Sequence, residues 1–278
     1  MGGDREVLKY KDIVLRDWDL DTLRGPCFLN DQIIRFYFSY LFSSTQTDDI
    51  LLVEPSESLC LANYQDDESV KEFAQSHKLS SKRLVLFAIN DKDINDDNDC
   101  GSHWSVLVYD RVNNSFLHYD SMEGVNRSME GVMEGVNRSM EGVNRVHAVK
   151  LYDAIKKYMG PGGEASRPQT LSSTQKKKRN KKKFVPKPLG DTKPESVNVA
   201  APVGLPMFVD CKTPQQSNGY DCGLYVLAIA KAVCRWWSLE NNNKSSDMLS
   251  AIETNVDDSV EVNMRSEVLE IIHDLTKD

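Results

Sequence analysis

The chain has 278 residues, of which 40% are hydrophobic and 8% aromatic, the composition of an ordinary globular protein with one substantial core. Its net charge of -8 conceals a lysine-rich run, Lys176–Lys183, so the remainder of the chain is strongly acidic. An acidic body argues against a nucleic-acid-binding core, and the apolar stretch Leu224–Val233 is too short to span a bilayer. We therefore expect no nucleic-acid partner and no membrane partner.

The cysteines and the N-terminal residues restrict the chain further. Its six cysteines are scattered, with no pair at metal-ligand spacing, so we expect no metal, no cofactor and no disulfide framework. The first residues carry no apolar signal core. We therefore expect an intracellular protein, in the cytoplasm, the nucleus or both.

Hydrophobic periodicity predicts both helices and strands along the chain. Asn30 and Asp31 precede an apolar run, and their short polar side chains suit a helix cap. Two strand-like runs flank Asp110–Asn114, where an Asn-Asn pair favours the turn of a β-hairpin. The predicted elements are helix Ile33–Phe42, strand Leu84–Ile89, hairpin strands Trp104–Tyr109 and Ser115–Tyr119, and helices Val146–Met159, Cys222–Trp237 and Val260–Leu275.

Two segments are interpreted as insertions into one domain that spans residues 1–278. Residues 121–145 form an internal repeat, SMEGVNR-SMEGV-MEGVNR-SMEGVNR, whose period is much shorter than that of a solenoid unit, so we interpret it as an expanded loop. Residues 160–204 are rich in Gly, Pro, Ser and Lys, a composition typical of disorder. The basic run within them is either a solvated loop or a nuclear localisation signal.

The hairpin predicts a His–Asp pair. His103 precedes its first strand and Asp120 follows its second, so antiparallel pairing brings the two residues side by side. A carboxylate that accepts one imidazole N–H leaves the other ring nitrogen free to act as a base.

Cys222 begins the long apolar helix and is the candidate nucleophile. The partial positive charge of a helix N-terminus and a nearby imidazolium both favour thiolate over thiol, and we expect the small Gly223 to leave the sulfur approachable. The backbone N–H of Cys222 can stabilise an oxyanion, and a side-chain amide upstream, Gln216 or Gln215, can supply a second donor. Spacing does not choose between the two glutamines. Taken singly, such residues are usually structural, so the combination carries the prediction.

Three motifs carry a family resemblance: GSHWS at Gly101–Ser105, FLHYDS at Phe116–Ser121 and PQQSNGYDCG at Pro214–Gly223. Together they resemble the sentrin-specific proteases, the family of cysteine proteases specific for ubiquitin-like proteins. The details are most similar to the branch that acts on the neddylation modifier, the deneddylases, in its plant form. Outside the two insertions, the resemblance covers most of the chain.

The resemblance implies an α+β fold of the papain-like superfamily, with a central mixed sheet flanked by helices and the nucleophile at the N-terminus of a buried helix. It implies that His103 is the general base, Asp120 its orienter and Cys222 the nucleophile. It also selects Gln216 over Gln215 as the oxyanion donor.

The resemblance further implies a narrow aromatic tunnel over the substrate's two C-terminal glycines, because any Cβ would clash there. Trp104 matches one wall of that tunnel, and Phe28 stands where the wider family commonly has Trp. Asn30 and Asp31 belong to the same matched segment, and we expect them to contribute to substrate binding.

The expected function is cleavage after the C-terminal Gly-Gly of a ubiquitin-like modifier, in both precursor processing and deconjugation. The expected partners are the neddylation modifier and its conjugates, and we expect a monomer. The alternatives are a desumoylating protease of the same fold, an acetyltransferase using the same triad, which gives no reason for Trp104, and a non-catalytic module that binds a ubiquitin-like protein.

Overall fold

The computed structural model describes residues 4–63, 66–92, 101–122, 143–160, 204–240 and 247–277. The predicted insertions, residues 121–145 and 160–204, lie outside the described residues except at their ends. The secondary structure consists of strands β1 Glu6–Tyr10, β2 Ile13–Arg16, β3 Ile50–Val53, β4 Leu84–Asn90, β5 Trp104–Asp110, β6 Ser115–Tyr119 and β7 Met207–Cys211, and helices α1 Asp17–Arg24, α2 Asp31–Thr45, α3 Pro55–Asn63, α4 Asp67–Ser76, α5 Arg145–Ile155, α6 Cys222–Glu240, α7 Met248–Asn255 and α8 Ser259–Leu275.

A five-stranded mixed sheet forms the centre, in the order β3-β4-β5-β6-β7. Strands β4, β5 and β6 are antiparallel neighbours, whereas the outer strands β3 and β7 run parallel to β4 and β6. Strands β1 and β2 form a separate antiparallel hairpin. The expected α+β fold with a mixed sheet flanked by helices is confirmed.

Helices cover both faces of the sheet. On β4, Leu84, Leu86 and Ala88 face the cluster that contains α2, α6 and α8, while the alternate residues Val85 and Phe87 face α3, α4 and α5. Successive side chains of a strand point to opposite faces, so a strand buried on both sides must be apolar throughout. This explains the uninterrupted apolar run that predicted the strand.

The predicted elements are found close to their expected bounds. The Asn30 side chain accepts a hydrogen bond from the backbone N–H of Ile33 at 3.1 Å, so the predicted cap of α2 is confirmed. The hairpin pairs Asp110 with Ser115, next to the predicted turn. The helix predicted to end at Met159 ends as an α-helix at Ile155. Helix α6 is long and apolar enough to cross a membrane by length and composition, but most of it is buried within the fold.

Candidate active site

His103 and Asp120 meet at the open end of the hairpin. The register pairs Val106 with Tyr119, so the residues just outside the strands emerge at the same end. The imidazole Nε2 of His103 lies 2.6 Å from Oδ1 of Asp120, and both side chains are at least 95% buried. The structure therefore brings together the His–Asp pair that the hairpin predicted, with the Nδ1 edge of the ring left for a third group.

The backbone of His103 is held on both sides. The carboxylate of Asp91 accepts hydrogen bonds from the N–H groups of Ser102 and His103, at 2.6 and 2.9 Å. Burial raises the pKa of Asp91, but these bonds and that from the Ser102 hydroxyl outweigh it, and the pKa is lowered. The amides of Asn90 and Asn144 both donate to the His103 carbonyl at 3.1 Å. Sequence reasoning did not assign these three residues to the site, although Asn90 and Asp91 were visible as the polar end of a strand.

Cys222 is the first residue of α6 and is buried. Its thiol lies near enough to His103 to perturb the imidazole, although Nδ1 of His103 makes no hydrogen bond of standard geometry within the described residues. Burial alone lowers the pKa of His103. The hydrogen bond with Asp120 and the interaction with Cys222 outweigh burial and raise the pKa of His103 to about 10. Both interactions therefore favour the charged imidazolium over the neutral ring.

The turn before Cys222 is anchored to α8. Asp221 forms a buried ion pair with Arg265, whose guanidinium also donates to the backbone carbonyls of Thr22 and Cys27 at 2.6 and 2.8 Å. One side chain thus joins the nucleophile turn to α1 and to the segment between α1 and α2. Sequence reasoning missed Arg265 because the partners lie far apart in the chain.

The two candidate glutamines differ in what their side-chain amides contact. Gln215 is exposed, and its Nε2 donates to the carbonyls of Asp120 and Thr213, at 3.2 and 3.0 Å, so both amide hydrogens have partners. Gln216 accepts a hydrogen bond from the Ser121 hydroxyl at 2.8 Å and donates to the Asn218 carbonyl at 2.7 Å. Its second amide hydrogen has no partner among the described residues, which leaves Gln216 better able to donate to a substrate.

A groove of about 440 Å³ lies beside His103 and is lined by Phe28, Leu29, Trp104 and the backbone of Gly101–Ser102. Trp104 is only 8% exposed, and its indole N–H donates to the Leu29 carbonyl at 2.9 Å. Phe28 is 46% exposed. The aromatic side chain on one side of the groove is thus buried and hydrogen-bonded, and the one on the other side faces solvent.

Asn30 and Asp31 also line this groove. The side chain of Asn30 is engaged by the protein itself, because Oδ1 caps α2 and Nδ2 donates to the buried Asp19 at 2.6 Å. Burial is the main reason why the pKa of Asp19 is raised. Both ends of the Asn30 side-chain amide are therefore anchored within the protein, one to α2 and one to Asp19.

The structure shows a packing constraint on Gly223, in addition to its expected effect on access to the sulfur. A Cβ at this position would lie 2.9 Å from Cβ of Leu29, closer than real side chains approach. The glycine therefore lets α6 pack against the segment that carries Phe28 and accepts the Trp104 hydrogen bond. Within the described ranges, no three His, Cys, Asp or Glu side chains cluster to hold a metal ion.

Comparison with known proteins identifies the family of this chain. Residues 191–274 match the model for the Ulp1 protease family, C-terminal catalytic domain. The chain is 31% identical to NEDD8-specific protease 1 of Arabidopsis thaliana, over 98% of this chain and 94% of that protein. It is 30% identical to sentrin-specific protease 8 of Rattus norvegicus, over 84% of this chain and 81% of that protein.

Solved structures support the fold. The C-terminal Ulp1 protease domain in complex with SMT3, the yeast ortholog of SUMO, superposes with a TM-score of 0.54 at 17% identity, covering 99% of this chain and 89% of that one. The family resemblance predicted from the motifs is confirmed. The chain belongs to the Ulp1 family of cysteine proteases that act on ubiquitin-like proteins.

Proposed function

We propose that this protein is a NEDD8-specific cysteine protease that cleaves after the C-terminal Gly-Gly of the modifier. The observation that carries the proposal is the buried His103–Asp120 pair beside Cys222 at the start of α6. The choice of modifier is supported by the near end-to-end similarity to NEDD8-specific protease 1. Both processing of a precursor tail and removal from a lysine follow, because the leaving amine contributes little to recognition.

In the proposed reaction the Cys222 thiol passes its proton to Nδ1 of His103, which gives a thiolate beside an imidazolium. The sulfur attacks the carbonyl carbon of the terminal glycine, and the carbonyl electrons move to its oxygen. His103 then gives its Nδ1 proton to the departing amine as the C–N bond breaks, leaving a thioester. Neutral His103 takes a proton from the water that attacks the thioester, and the C–S bond then breaks. The modifier leaves as a carboxylic acid that ionises in water, and the Cys222 thiolate beside protonated His103 is restored.

Asp120 orients the ring throughout. Its hydrogen bond to Nε2 holds Nδ1 as the nitrogen that exchanges protons with Cys222 and with the leaving amine. It also favours the imidazolium, consistent with the raised pKa of His103. Replacing Asp120 would therefore lower activity, because the His103 ring would lose both its fixed orientation and the stabilisation of its positive charge.

The oxyanion has two donors in this proposal. The backbone N–H of Cys222 lies in the first turn of α6, where N–H groups have no intrahelical acceptor. The second is the uncommitted amide hydrogen of Gln216, whose side chain is held by Ser121 and Asn218. Removing such a donor typically costs about 100- to 1000-fold in kcat.

The test is a set of three probes, each a modifier ending in an electrophile after Gly-Gly: NEDD8, SUMO and ubiquitin. We expect a covalent adduct with the NEDD8 probe alone, and none with the Cys222→Ala variant. Labelling by the SUMO probe would support the cysteine protease mechanism and refute the proposed specificity for NEDD8. Absence of any adduct, from a folded protein that still binds a modifier, would support a non-catalytic module.

We also propose that the enzyme acts inside the cell as a monomer. All the proposed triad members lie on one chain, which supports a monomeric site. Light scattering after size exclusion should give the mass of one chain, and a dimer mass would contradict the proposal. Fractionation of cells should place the protein in cytoplasm or nucleus.

A further inference from the structure

Asn144 is a buried asparagine that contacts both members of the His–Asp pair. It is 0% exposed and lies in the last copy of the repeat, directly before the start of α5. Its backbone N–H donates to Oδ2 of Asp120 at 3.0 Å, and its side-chain amide donates to the carbonyl of His103 at 3.1 Å. The same amide donates to the carbonyl of Ile89 at 3.2 Å.

The two oxygens of the Asp120 carboxylate accept hydrogen bonds from different donors. Oδ1 accepts from His103 and from the backbone N–H of Met122 at 3.0 Å, while Oδ2 accepts from Asn144. With donors on both oxygens, the carboxylate cannot rotate about its χ2 axis without breaking a bond. The plane in which the carboxylate meets the imidazole is therefore set by Met122 and Asn144, at the two ends of the repeat.

The Asn144 side chain links the same plane to the sheet. Both amide hydrogens are used on backbone carbonyls, one at the end of β4 and one beside β5. Its Oδ1 is buried and has no hydrogen-bond partner within the described residues. A buried polar atom without a partner is costly, so the two donor contacts must outweigh it.

We propose that Asn144 is a positioning residue for the catalytic pair, holding the Asp120 carboxylate through its backbone and the His103 backbone through its amide. This inference rests on the proposed function. A displacement of about 1 Å at reacting groups costs on the order of 100-fold in rate, so loss of the side chain should lower kcat rather than raise KM.

The test uses Asn144→Ala and Asn144→Asp, with Asn114→Ala as the matched control. Asn114 is another buried asparagine, but it lies in the turn of the β5–β6 hairpin, where its amide donates to the carbonyl of Gly204 at 3.1 Å. The measurements are kcat and KM with a NEDD8 fusion substrate, and iodoacetamide alkylation of Cys222 from pH 6 to 10, followed by peptide mapping.

We expect Asn144→Ala to lower kcat roughly 10- to 100-fold with KM changed less than about threefold, and to slow Cys222 alkylation near pH 6.5. The kcat of Asn144→Asp should be no higher than that of Asn144→Ala, because aspartate keeps the shape of the side chain but places an acceptor oxygen beside the two carbonyls. Asn114→Ala should lose stability while its kcat and alkylation profile remain those of the wild type.

A more active Asn144→Asp than Asn144→Ala would show that only shape matters and would overturn the proposal. The proposal would also be overturned if both Asn144 variants had the same kcat and the same alkylation profile as Asn114→Ala. If Asn144→Ala does not fold, Asn144→Ser, which keeps one donor in the same space, takes its place. Failure of the proposed function itself is seen separately, as Cys222 in the native wild type alkylating no faster at pH 6.5 than in the unfolded chain.

Discussion

Deletion of residues 123–140 should leave one SMEGVNR copy and a more stable enzyme. The described ends of the repeat are already joined, because the backbone N–H of Val143 donates to the carbonyl of Met122 at 3.3 Å. After the deletion Met122 is followed by Glu141 and Gly142, so the same bond becomes the closing bond of a four-residue β-turn. Glycine at its third position suits a type II turn.

The magnitude follows from loop closure. Between Met122 and Val143 the chain shortens from about twenty residues to two, and the closure entropy scales as (3/2)RT ln n, which gives about 2 kcal/mol. Short turns deviate from this scaling, so we expect a gain of roughly 1–2 kcal/mol in the free energy of unfolding. For a domain of this size, that corresponds to a rise in Tm of roughly 2–8 °C.

The assays are urea denaturation, thermal unfolding, and kcat/KM with a NEDD8 fusion. Activity should be unchanged, because Ser121, Met122 and Asn144 keep their contacts with the site. The matched control extends the deletion through Val143, which removes the closing bond and pulls Asn144 toward Met122. We expect that control to be less stable and nearly inactive. Lower stability or lower activity after deletion of 123–140 alone would refute the reasoning.

Three further predictions concern the site. Gly223→Ala should destabilise the protein by about 1–3 kcal/mol and raise KM, because overpacking against Leu29 displaces the wall of the groove. In the control Gly219→Ala the added Cβ lies in open space, so stability and KM should be unchanged. Arg265→Met should cost about 3–5 kcal/mol in urea denaturation by leaving Asp221 buried and unpaired, and the double variant with Asp221→Asn should recover part of that loss. An NMR titration should show a lower pKa for His103 when the nucleophile is replaced by alanine. An unchanged His103 pKa in the alanine variant would contradict the proposed pairing. Because the folded-state pKa of His103 is raised, the stabilisation from the charged imidazole is complete below about pH 6.5 and is lost as pH rises through about 10.

The sequence by itself determined the elements that local rules govern. Period and turn chemistry located the hairpin within one residue at each strand end, because strand alternation and an Asn-Asn turn are encoded among neighbours. The cap of α2 and the start of α6 follow from the same kind of local signal. Since antiparallel register is set by the turn, the His103–Asp120 pair was also predictable.

Only the tertiary structure decided what supports that pair. Arg265 reaches Asp221 across 44 residues of chain and Thr22 across 243, and no local pattern marks such contacts. The packing of Gly223 also emerged only in the fold, because its neighbour Leu29 belongs to a distant loop.

Asn144 shows the physical reason most clearly. Its sequence context is a repeat in which the same Asn occurs in other copies, so nothing in the sequence distinguishes the last one. The copy that matters is selected by where the chain re-enters the fold beside Asp120 and the end of β4. Burial and hydrogen bonding there depend on segments brought together by packing, and those interactions exist only in the folded chain.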